Sequence, residues 1–92
     1  NFNPTGKQHG GPRDANRHVG DLGNTKAIPS TPVSRPKISI LSQVMSLYED
    51  QPNSVLYRAL VIHANVDDLG RGNGPESLKS GNSGAHIACG LI

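Results

Sequence analysis

No part of this chain sustains a 3.6-residue apolar period long enough to give a helix a buried face. Glycine and proline punctuate it instead, eleven and seven among 92 residues. Both interrupt regular helix and favour turns. The chain is therefore expected to be all-β, with short strands joined by long ordered loops. Its length fits one small domain. Only 34% of its residues are apolar, and Phe2, Tyr48 and Tyr57 are its aromatics, so any core of its own is small.

Residues 1–18 are polar and glycine-rich, with Pro4 and Gly10-Gly11-Pro12, and read as a long loop. Such a loop needs something to hold it, because it buries little. Residues 19–27 read as a short strand weakened by Gly20 and Gly23. Residues 28–36, carrying Pro29, Pro32 and Pro36, read as a turn or edge segment. Ile38, Ile40, Val44, Met45 and Leu47 suggest a strand bulged near Ser42-Gln43, followed by a polar turn at residues 49–53. Residues 55–62 are the clearest strand. The run Ala59-Leu60-Val61-Ile62 before His63 predicts burial on both faces. Residues 64–84 form a second long loop and residues 85–92 a last strand. Four strands are too few to close a barrel or pack a sandwich.

Several function classes find no support. The net charge of +2 comes without a dense run of Lys or Arg, and no stacking aromatics accompany it, so nucleic acid is not an expected partner. No apolar run is long enough to span a membrane as a helix. The glycines form neither a Walker pattern nor a dinucleotide fingerprint. No signal-peptide pattern is visible. The first residue is Asn1 rather than Met, and further sequence upstream is expected. The single Cys89 is either a buried thiol or half of a disulfide whose partner lies outside these residues.

The residues with metal chemistry are His9, His18 and Asp21, spaced His-x8-His-x2-Asp. Two imidazoles and a carboxylate are ordinary zinc ligands and need one further donor to complete a tetrahedron. A zinc ion would also explain how a glycine-rich loop becomes ordered. The alternative is two solvent-facing histidines and a turn aspartate. His63, where the apolar run meets a loop, is either a hydrogen-bonded strand end or a ligand. Asp67 is either a turn residue or a carboxylate that orients a metal-bound histidine. Glu76 and Lys79 are either an ion pair or a solvated face, or part of a field that steers an anion. Gly81-Asn82-Ser83-Gly84 is a turn before the last strand, and nothing local distinguishes His86 from a packed histidine.

Taken together, these segments resemble copper/zinc superoxide dismutase. Residues 1–12 (NFNPTGKQHGGP) resemble the start of that family's zinc loop, and Arg17-His18-Val19-Gly20-Asp21-Leu22-Gly23-Asn24 its most recognisable signature. Val61-Ile62-His63-Ala64-Asn65-Val66-Asp67-Asp68-Leu69-Gly70 and residues 80–90 (SGNSGAHIACG) match two more, in family order. The stretch 27–56 diverges most. The resemblance implies a Greek-key β-barrel, of which residues 1–92 form a single partial domain: the last four strands and two loops. Residues 1–18 would be the zinc loop and 64–84 the electrostatic loop.

The resemblance also implies roles. His9, His18 and Asp21 fall on zinc ligands, His63 on a copper ligand and Asp67 on the aspartate that tethers ligands of both metals. Glu76, Lys79 and Ser80 fall on the channel that guides superoxide. Cys89 falls on half of the intrasubunit disulfide. Asn1 stands where the family has the histidine bridging copper and zinc, and His86 where it has the channel arginine. Arginine is always charged and forked, whereas histidine is only partly charged near neutral pH. Tyr57 replaces a glycine near the family's dimer contact. Zinc is thus the expected cofactor, with copper only if a partner or an upstream segment completes the site. Superoxide is the implied substrate, an N-terminal half or second chain the implied partner, and a homodimer an open option. The implied compartment is the cytoplasm, with secretion left open. The competing reading is a non-catalytic zinc-binding or interaction module derived from the family.

Overall fold

In a computed structural model, residues 1–26 and 37–92 are described. The expected turn or edge segment at 28–36 lies outside the described residues.

Two strands pair. Strand β1 is Ala59–His63 and β2 is His86–Leu91. They run antiparallel, with Val61 opposite Cys89 and Ile62 opposite Ala88. The β-branched Val61 and Ile62 suit a pleated surface. The register shifts between Ile62 and His63, so His63 faces His86 across an irregular step. Such bulges re-aim a side chain at a strand end. Pairing continues past both ends: the Ile92 N–H donates to the Arg58 carbonyl and the Ala64 N–H to the Ala85 carbonyl, each at 2.9 Å.

The second loop contains a single helical turn, α1 (Ser77–Ser80), which the loop reading had not included. Gly81 ends it in the left-handed region (φ 67°), donating its N–H to the Ser77 carbonyl. Glycine takes that conformation without a steric penalty.

The other expected strands do not form among the described residues. Residues 19–26 are irregular. Residues 37–47 make one parallel bridge, Ser46 to Ser54, rather than a ladder. An apolar pattern makes a strand only where a partner edge is available. Burial of Ala59–Ile62 on both faces is also overturned. Ala59 and Leu60 are exposed and Val61 and Ile62 half-buried, because among the described residues no second layer covers the sheet. Ile87 and Leu91 are open too, at 64% and 81% exposure. Cys89 is exposed, so it is not a buried thiol.

What is buried is mostly polar. Among the described residues, Val19 is the buried hydrophobic residue, and His9, His18, Asp21, Ser54, Ser77 and Ser83 are the buried polar ones. The two loops meet around these groups. The His9 N–H donates to the Leu78 carbonyl of α1 (2.9 Å), and the Asp68 N–H to the Gly81 carbonyl (2.9 Å). Arg71 grips both oxygens of Asp14 at 2.9 and 3.2 Å.

Candidate metal centre

The tight turn at residues 18–21 is the local unit from which the site is built. Its backbone closes by an Asp21 N–H to His18 carbonyl bond of 3.1 Å. Arg17 holds the turn from outside, donating one guanidinium nitrogen toward the carbonyls of His18, Val19 and Asp21 (3.2–3.4 Å). The turn aims the Asp21 carboxylate inward. One oxygen, Oδ2, accepts the N–H groups of Gly10 (3.0 Å) and His18 (2.9 Å). The other, Oδ1, faces both imidazoles: His9 Nδ1 at 3.0 Å and His18 Nδ1 at 3.2 Å.

His9, His18 and Asp21 are all buried, and their donor atoms lie within 4.8 Å of one another. Zinc bonds of about 2.0–2.1 Å set the edge of a tetrahedron at roughly 3.3 Å. The His9–Asp21 and His18–Asp21 separations are edges of that size. Asp21 also favours its charged form. Burial pushes its carboxyl up, but the Gly10 N–H, the Asn1 amide, the His18 N–H and the field of His9 together hold it below the usual carboxylate range. A ready anion beside two imidazoles suits a divalent cation.

His9 is oriented from behind. Its Nε2 lies 2.6 Å from Asp67 Oδ1. A proton on Nε2 leaves the Nδ1 lone pair directed at Asp21 and His18. Asp67 is itself fixed by Asn24, whose side chain accepts the Asp67 N–H (2.8 Å) and donates to its carbonyl (3.0 Å). The Leu69 N–H also donates to Asp67 Oδ1 at 2.8 Å. A side chain at Gly81 would run into the Asp67 carboxylate and the His9 ring.

Beside this cluster lies an open depression of about 450 Å³, lined by Asn1, His63, Glu76, Lys79, Ser80 and His86 among others. His63 and His86 meet edge to face, ring centroids 4.8 Å apart. His63 Nδ1 donates to the Gly84 carbonyl at 2.9 Å, which leaves the Nε2 lone pair free to accept a proton or a cation. Glu76 Oε1 accepts the Ser80 hydroxyl at 2.6 Å. Asn1 touches both places: its amide contacts Asp21 Oδ1 and lies 3.3 Å from His9 Nδ1.

The structure thus brings His9, His18, Asp21, Asp67 and Asn1 together at one cluster and places His63, Glu76, Lys79, Ser80 and His86 around the depression. Cys89 lies on β2, opposite Val61. Sequence reasoning gave no role to Asn24, Arg17 or Asn82. Asn24 and Arg17 were visible only as members of a signature. Asn82, read as part of a turn, donates to Asp68 Oδ2 at 2.7 Å.

The whole chain, residues 1–92, matches the family described as copper/zinc superoxide dismutase (SODC). The chain belongs to that family. A superoxide dismutase (Cu-Zn) of Cryptococcus neoformans var. grubii is 47% identical over 91 residues, which are 99% of this chain and 56% of the relative. Superoxide dismutase (Cu-Zn) 5 of Dictyostelium discoideum is 45% identical over 91 residues, 99% of this chain and 57% of that protein. The chain spans a little over half the length of these curated relatives. A solved structure of the clock protein EA4 superposes with a TM-score of 0.86 at 41% identity, covering 98% of this chain and 54% of that one. The fold is accordingly of the Cu/Zn superoxide dismutase type, here without a closed barrel.

Proposed function

We propose that residues 1–92 are the zinc-holding part of a superoxide dismutase-family domain whose copper-dependent activity is impaired. The observation that carries this is the buried set His9, His18 and Asp21, with nitrogen-to-oxygen separations of 3.0 and 3.2 Å. These residues suit zinc, which at such a site supplies folding energy by tying loop segments together.

Copper fits less well. His63 is the one copper-ligand position this chain fills with histidine. Asn1 stands at the bridging position, and an amide does not give up a proton to link two cations. His86 stands at the position of a permanently charged arginine, leaving Lys79 as the fixed cation lining the depression. Redox copper chemistry therefore depends on residues from outside this chain, and so does the reaction in which one superoxide is oxidised to oxygen and another reduced to peroxide.

The same reading assigns further strands to an N-terminal half or a second chain, which would cover the open sheet. It leaves a homodimer open and places the protein in the cytoplasm. The substitutions at Asn1 and His86 favour the second reading, a non-catalytic zinc-binding or interaction module. Elemental analysis of the natively purified protein, with a superoxide-decay assay, separates the two. About one zinc per chain with no copper and no dismutation selects the non-catalytic module. Zinc and copper together with dismutation select an enzyme completed from elsewhere. Neither metal overturns the zinc reading.

A further inference from the structure

We infer that Asn1 closes the zinc position with its side-chain amide oxygen, making a self-contained one-metal site where the family has a bridged pair. This rests on the zinc reading of His9, His18 and Asp21 and goes beyond it by naming the fourth donor.

The Asn1 amide adjoins two of the cluster's three donors, His9 and Asp21. Its terminal nitrogen contacts Asp21 Oδ1 and lies 3.3 Å from His9 Nδ1. The His9 separation is that of the tetrahedral edge of roughly 3.3 Å expected for zinc, whereas the Asp21 contact is closer than such an edge and would have to open as an ion entered. The amide nitrogen is a poor ligand, because its lone pair is delocalised into the carbonyl. The two ends of a carboxamide have the same shape, however, and a half turn of the group brings Oδ1 to the place of Nδ2. Without a cation, the N–H donates to the Asp21 carboxylate. With a cation, the carbonyl oxygen faces the charge and the N–H turns outward.

Position strengthens the assignment. Asn1 also lines the depression that holds His63 and His86, so it stands between the zinc cluster and the copper-ligand histidine. A neutral amide offers a cation its carbonyl oxygen alone and, unlike an imidazolate, does not bridge two cations. An ion held this way is four-coordinate with protein donors on every side, the pattern of a structural zinc rather than an open catalytic one.

The test is metal affinity in the full-length protein, measured by cobalt(II) titration in the visible and by zinc competition. The variants are Asn1→Ala, Asn1→Asp and His18→Ala. Asn1→Ala is expected to weaken binding by about 10- to 100-fold, whereas Asn1→Asp, which keeps an oxygen at the same place, retains tight binding. If Asn1→Ala binds as the parent does while His18→Ala does not, water fills the fourth position and the inference is wrong. If Asn1→Ala and Asn1→Asp lose affinity equally, Asn1 acts through packing, which also overturns it. Unchanged affinity in all three removes the underlying zinc reading as well.

Discussion

His9 reaches across 58 residues of sequence to Asp67, Nε2 to Oδ1 at 2.6 Å, and so joins the two long loops through one imidazole. The same ring turns its other nitrogen to Asp21 at 3.0 Å. Removing the carboxylate by Asp67→Ala frees the ring to rotate. Zinc affinity is expected to fall about 10- to 100-fold, as when a supporting partner of a metal-bound histidine is lost. Competition titration against a chelator measures it. Unchanged affinity would show that the first loop orients His9 unaided.

Gly81 supports that contact by its lack of a side chain. Its φ of 67° and its closeness to Asp67 and His9 both oppose a methyl group. Gly81→Ala is expected to destabilise the domain by about 1–3 kcal/mol, from left-handed strain and displacement of the carboxylate. Thermal melting with and without zinc is the measurement, and the loss should be larger in the zinc-loaded protein.

Tyr57 presents the opposite case. It is a non-glycine residue at φ 64°, 67% exposed, at a position where the resemblance to the family implies glycine. Tyr57→Gly relieves left-handed strain but loosens the unfolded chain, for a net gain of roughly 0.5–1 kcal/mol. A chemical-denaturation midpoint that fails to rise would mean that Tyr57 packs against something outside residues 1–92.

Acid acts on Asp68. The Asn82 amide, against some desolvation by burial and with help from the Ser77 hydroxyl and the Gly70 and Gly72 N–H groups, holds its carboxyl below the usual carboxylate value of 3.8. A depressed value means the stabilisation is complete above pH 3.8 and is lost as pH falls through the lower, folded value. The turn at residues 81–84 should therefore loosen only below that point. Side-chain amide signals of Asn82 followed by NMR during acid titration check this. Asp68→Asn should loosen the turn at neutral pH and flatten the dependence.

The cluster of His9, His18 and Asp21 was legible because its members sit within thirteen residues in a signature whose local turn places them. The strand at 59–63 and the last strand were legible from their apolar runs, to within a few residues. The strands read at 19–27 and 38–47 were not formed in the parts described, since periodicity records which face a residue would show but not whether an edge exists to receive it. Asn24 was illegible for a related reason: its partner, Asp67, is 43 residues away. Asn1 was legible as a departure from the family, while its contact with Asp21 needed coordinates.

The polar interior has a thermodynamic corollary. Uncovering buried apolar surface raises heat capacity on unfolding, and uncovering polar surface lowers it. The loops here enclose histidines, aspartate and serines around Val19, so their opening should carry little heat-capacity change. The enthalpy and entropy of that opening would then change little between ice and blood heat, and, with zinc held as proposed, its free energy would follow the concentration of free chelator.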